Sequence, residues 1–217
     1  MKQTIKVQAL TDWKDITLRK YLELMNDIEA YKEDEEAVDA LMLHHLCGIP
    51  YEEIPNVSAE SYNVLKAKLS QFLKPEDMEL HKFVTIGNTE YGFEPNLSKM
   101  SYGAYADISQ YDTISIDKNW AKIMSILYRP VAKKDRHGLY QIEQYTGTID
   151  EKVWLDVTMD VHFGCLFFFL YLQMDLMKDT LNSLTEMEVP ANIKSILVES
   201  GEAIQQYSNL LKATSKG

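Results

Sequence analysis

The chain has 217 residues, 46% hydrophobic and 25% charged, with a formal net charge of −11. This composition is that of a folded protein with one large or two small domains, and it excludes overall disorder. The acidity opposes nucleic-acid binding unless the few cations cluster, and it favours basic partners.

In chain order, "TIKVQAL" reads as a short strand or an extended lead-in, and the first residues lack an apolar core long enough for a signal peptide. From Thr17, the positions Leu18, Tyr21, Leu22, Met25 and Ile28 follow helical spacing, with Thr17 as the N-cap. A second helix is expected from about Glu33 to Cys47. Acids crowd its first turn, and Gly48 and Pro50 stop it. A third opens after Ser58, with Tyr62, Leu65, Leu69, Phe72 and Leu73 on one side, and ends at Pro75. The period then changes. "HKFVTIGNTEYGFEP" holds two β-favouring runs around Gly87-Asn88, which is hairpin chemistry.

Helical spacing returns at Ser101, and another helix spans roughly Lys118 to Tyr128, stopping before Pro130. "LYQIEQY" and "KVWLDV" read as strands. Thr158 caps a long helix to about Leu184, apolar nearly all round from Phe163 to Leu172 and so expected to be central. That apolar run is too short for a membrane span, which takes about 20 residues. A last stripe, Ile193 to Leu211, either closes the bundle or offers a face to a partner.

The segment "ITLRKYLEL" (Ile16 to Leu24) has a partial echo in "MSYGAYADI" (Met100 to Ile108). Each reads as a capped helix start with a Tyr and an apolar stripe facing a core. "VSAE" at Val57 and "VTMD" at Val157 form a second matching pair. Either duplication or convergence of helix-capping chemistry accounts for these matches. The expected fold is mainly α. It is a helical bundle of two halves that the repeat would relate, with a small antiparallel β-hairpin or sheet insertion. The halves are residues 1–80 and 98–217, and 81–97 is the hairpin connector.

Chemistry is sparse. His44, His45 and Cys47 read as packing residues, because no second ligand pair stands nearby at metal-binding spacing. Cys47 and Cys165 read as buried thiols of a reducing compartment. The carboxylates between Asp27 and Glu36, with Glu52 and Glu53, read as a solvated face, although scattered acids also permit a hydrolase. No phosphate-cradling glycine loop and no nucleophile elbow occurs. No catalytic residue, cofactor or metal is therefore assigned. The one basic cluster, Arg129, Lys133, Lys134 and Arg136, is a candidate docking patch, as are Tyr207, Leu210 and Leu211 on the last stripe.

The order "DITLRKYLEL", an acidic spacer, an apolar helix ending "GIP" and a capped helix resembles small helical assembly proteins of tailed bacteriophages. "EYGFEPNLSKMSYGAYADI" followed by "WAKIMSILYRPV" is similar to a pattern in proteins of large tailed-phage genomes, some of them tail assembly chaperones and others virion components. The resemblance spans about Asp15 to Asp175 and carries no catalytic residue. It implies a non-enzymatic phage morphogenesis protein, most simply a tail assembly chaperone. The alternative is a structural virion protein: a connector, ring or packaged internal component. The implied partners are other phage structural proteins of the tail or portal region, without nucleic acid or membrane and with the oligomeric state open. The implied location is the host bacterial cytoplasm during assembly, or the virion.

Overall fold

The computed structural model describes residues 12–72 and 78–185. After a 3-10 turn at Trp13–Asp15, helix α1 spans Leu18–Ala30. It starts at Thr17, whose hydroxyl accepts a hydrogen bond from the Lys20 N–H. Helix α2 spans Glu35–Cys47 and is capped by the Asp34 carboxylate on the Ala37 N–H. Gly48 ends it at φ 66°, a left-handed conformation that glycine adopts without Cβ strain. Helix α3, Ala59–Phe72, opens on Ser58, whose hydroxyl accepts from the Ser61 N–H. The starts of α1, α2 and α3 and the stop of α2 fall where the sequence placed them, and the expected stop at Pro75 lies outside the described residues.

Strands β1 (Phe83–Ile86) and β2 (Thr89–Phe93) form the expected hairpin, with Gly87 at φ 60° in its two-residue loop. Helix α4, Tyr102–Ile108, is capped by Ser101 on the Ala104 N–H. Helix α5, Trp120–Leu127, passes directly into strand β3, Tyr128–Lys134. Strand β4 is Tyr140–Ile142, helix α6 is Glu151–Leu155, and helix α7 is Met159–Thr185.

Three expectations are corrected here. The class is mixed and not a mainly-α bundle: among the described residues the helices pack with one four-stranded antiparallel sheet in the order β1-β2-β3-β4. The Phe83–Phe93 hairpin is half of that sheet, because β2 pairs with β3 through Phe93↔Tyr128, Gly92↔Arg129 and Tyr91↔Pro130. Pro130 hid this strand, since a proline lacks a ladder donor and reads as a stop. Its carbonyl is still used, accepting from the Glu143 N–H at 2.9 Å. "KVWLDV" is not a strand: its first four residues belong to α6. Its apolar alternation is overridden by the packing of Trp154 against Tyr128 and Tyr91, with ring centroids 5.1 and 5.6 Å apart.

The matched segments share caps but not packing. Leu18 is fully buried, whereas Tyr102 at the equivalent place is 84% exposed, and Tyr105 is 61% exposed. The Tyr of the first copy, Tyr21, packs edge-on to Phe163 and Trp13. The second copy therefore does not turn its tyrosines to a core. Thr17 and Thr158 lie side by side in an isolated antiparallel bridge, Leu18 N–H to Val157 O at 3.0 Å and Met159 N–H to Ile16 O at 2.8 Å. This bridge joins the first helix to the last described one.

Helix α7 is central, as its all-round apolarity implies. Met159, Val161, Phe163, Cys165, Leu166, Phe167, Phe169 and Leu170 are buried in one cluster with residues from Trp13 through Trp154. Trp120, Trp154, Tyr128 and Phe167 are each under 2% exposed, and each contributes roughly 2–3 kcal/mol of transfer free energy. Among the described residues, no helix is long and apolar enough to cross a membrane.

Candidate functional site

The structure disperses the basic cluster. Arg129 turns inward from β3. Its guanidinium pairs with Glu94, the two side chains being only 12% and 10% exposed, and donates to the Ile126 carbonyl at 3.1 Å. Its Nε is buried without an acceptor among the described residues. Lys134 donates to Glu90 at 3.0 Å and lies 3.6 Å over the Phe83 ring. Lys133 and Arg136 are exposed along β3 and its turn. Tyr207, Leu210 and Leu211, with the rest of the last stripe, lie outside the described residues.

His44, His45 and Cys47 likewise have separate local roles. His44 Nδ1 sits 2.8 Å from the Ile49 carbonyl, and its ring stacks on Tyr51. His45 Nε2 sits 2.8 Å from the Asp27 carboxylate. Cys47 and Cys165 are buried free thiols, and burial pushes both upward in pKa. Among the described residues, no group of three or more His, Cys, Asp or Glu side chains could hold a metal.

His162 is fully buried near the Trp154 and Val157 carbonyls, without a hydrogen bond of ordinary geometry among the described residues. Desolvation pushes its imidazole down to about 4. Beside it, Asp160 accepts from the Thr158 hydroxyl at 2.6 Å and lies 3.7 Å from His81 Nε2.

The site with the most varied chemistry is a cleft of about 200 Å³ where β3 meets α6. Its walls come from Tyr91 on β2, Ser125 on α5, Arg129 on β3, Trp154 on α6 and the segment Glu143–Asp150 that follows β4. The segment is anchored at both ends. The Glu143 N–H donates to the Pro130 carbonyl, and the Asp150 N–H donates to Ser125 Oγ at 2.9 Å. Between them, the Tyr145 hydroxyl donates to Asp107 on α4, and its ring lies 6.0 Å from the Arg129 guanidinium. Burial, and then the Asp107 hydrogen bond, raise the Tyr145 phenol well above its usual range, so it stays protonated as a donor.

Sequence reasoning did not single out Glu143, Tyr145, Asp150 or Trp154. The available signal was the hydroxyl-rich "QYTGTID" after an apolar run, a loop composition of the kind on which binding residues are carried.

No family model, curated protein or solved structure matches the chain.

Proposed function

We propose that this protein is a non-enzymatic phage morphogenesis factor that works by protein–protein contact, most simply as a tail assembly chaperone in the host cytoplasm. The observation that supports contact is on α4. Tyr102 and Tyr105 lie three residues apart, hence on neighbouring positions of one helix surface, and are 84% and 61% exposed. Large aromatic side chains left in water in this way mark interaction surfaces, because tyrosine offers apolar area and a polar tip together. The phage setting rests on the resemblance of residues 15–175.

The chaperone reading expects a transient complex with a tail protein, recovered by affinity purification from infected cells and absent from mature particles. Mass spectrometry of purified particles decides the matter. Stoichiometric retention in particles, with no such complex in the cell, overturns the chaperone role in favour of a structural virion protein.

A further inference from the structure

We infer that the cleft between β3 and α6 receives the cationic side chain, lysine or arginine, of a basic segment on a partner protein. This rests on the reading of the protein as one that acts by contact, and it specifies the chemistry that the partner must present.

Size comes first. At about 200 Å³ the cleft is smaller than most small-molecule pockets, which run roughly 300–1,000 Å³. It has room for one long side chain. Charge comes second. The Arg129 guanidinium is neutralised by Glu94. Among the described residues no other lysine or arginine lines the cleft, which leaves Glu143 and Asp150, both exposed, as its acidic lining residues. An anion would meet two carboxylates and an arginine whose charge is already matched by Glu94, with only its buried Nε left over among the described residues. A cation meets the favourable field, reinforced at longer range by the chain's net charge of −11.

The walls supply the third argument. Tyr91 and Tyr145, both half-buried, offer aromatic surface, and the face of an aromatic ring attracts lysine and arginine. Thr146 and Thr148 add exposed hydroxyls that accept N–H donors. The geometry is held in advance by the Ser125–Asp150, Pro130–Glu143 and Tyr145–Asp107 hydrogen bonds, which lowers the ordering cost of binding. A protein segment fits better than a free amine because the cleft adjoins α4. Tyr145 ties the cleft wall to the helix that exposes Tyr102 and Tyr105, so a segment whose basic side chain enters the cleft has aromatic surface nearby.

The test uses the full chain and three capped tripeptides, Gly-Lys-Gly, Gly-Arg-Gly and Gly-Glu-Gly, titrated by calorimetry or NMR. The two cationic peptides are expected to bind in the millimolar range and the glutamate peptide not to bind. The variant Glu143→Gln/Asp150→Asn is expected to weaken the cationic peptides about tenfold. Glu52→Gln/Glu60→Gln, which removes the same charge from exposed positions elsewhere, is expected to leave them unchanged. Equal binding of the glutamate peptide, equal weakening in both variants, or no cationic binding at about 10 mM overturns the inference. The peptide comparison on the unmodified chain holds even if a variant misfolds. Peptide binding reports on the cleft and copurification on the assembly role, so either reading can fail alone.

Discussion

At single residues, close approach decides what a side chain may be. Gly164 lies in α7 where a Cβ would fall 2.4 Å from the Glu79 carbonyl oxygen, a backbone atom that cannot simply turn aside. Gly103 lies in α4, and a Cβ there would meet the Tyr145 ring at an ordinary 3.7 Å. Alanine is the better helix former by about 1 kcal/mol. The two substitutions should therefore have opposite signs. Gly103→Ala should stabilise by about 0.5–1 kcal/mol, while Gly164→Ala should destabilise by about 1–3 kcal/mol because overpacking outweighs propensity. Denaturant melts of both variants check this, and a neutral or stabilising Gly164→Ala would refute the clash. The Arg129–Glu94 pair obeys a different rule. Because it is nearly buried, Glu94→Leu alone should cost about 3–5 kcal/mol by stranding the guanidinium, and Glu94→Leu/Arg129→Met should recover much of that loss. A double-mutant cycle measures the difference.

For whole elements, the capping residues set where helices begin. The Thr17 and Ser101 hydroxyls each satisfy one first-turn N–H. Replacing either with alanine should cost about 1 kcal/mol. The caps belong to different helices and their hydroxyls share no partner, so the losses should add in the double variant to within about 0.5 kcal/mol. Chemical denaturation of the single and double variants tests this; strong non-additivity would mean that the two matched segments are coupled. These caps, the Gly48 stop and the Gly87-Asn88 hairpin were all legible in the sequence, because each interaction closes within a few residues. The sheet was not. β3 begins at Tyr128, directly after α5, contains Pro130 and takes its partner from Tyr91, far away in sequence. A local reading sees only a proline stop there.

In the molecule as a whole, the buried imidazole links stability to pH. His162 titrates near 4 when folded against an ordinary value of 6.5, so between those values the unfolded chain binds the extra proton. Stability from this group is complete above pH 6.5, is lost as pH falls towards 4, and levels off below that. The loss is on the order of 3 kcal/mol. Asp156, whose carboxyl is lowered by its hydrogen bond to Arg19, acts in a separate window: its contribution is present above 3.8 and is lost only at lower pH. Thermal melts from pH 7 to 4 should show a falling midpoint, with a shallower slope in His162→Phe. An unchanged slope would mean that other groups carry the acid response.

The sequence by itself determined where α1, α2, α3 and α4 start, where α2 stops, the first hairpin, and the central place of the apolar run in α7. Those features follow from caps, turn residues and periodicity, all of which act over short chain distances. Only the tertiary structure decided that the strands merge into one sheet, that Arg129 is an internal ion pair and not a surface cation, and that the tyrosines of the second matched segment face solvent. It also assembled the cleft, whose walls come from β2, α5, β3, α6 and the segment after β4. The physical reason is common to all four. Each depends on which distant surface a residue meets, and pairing such as Tyr91↔Pro130 or Thr17↔Thr158 leaves no mark on the neighbouring residues of either strand.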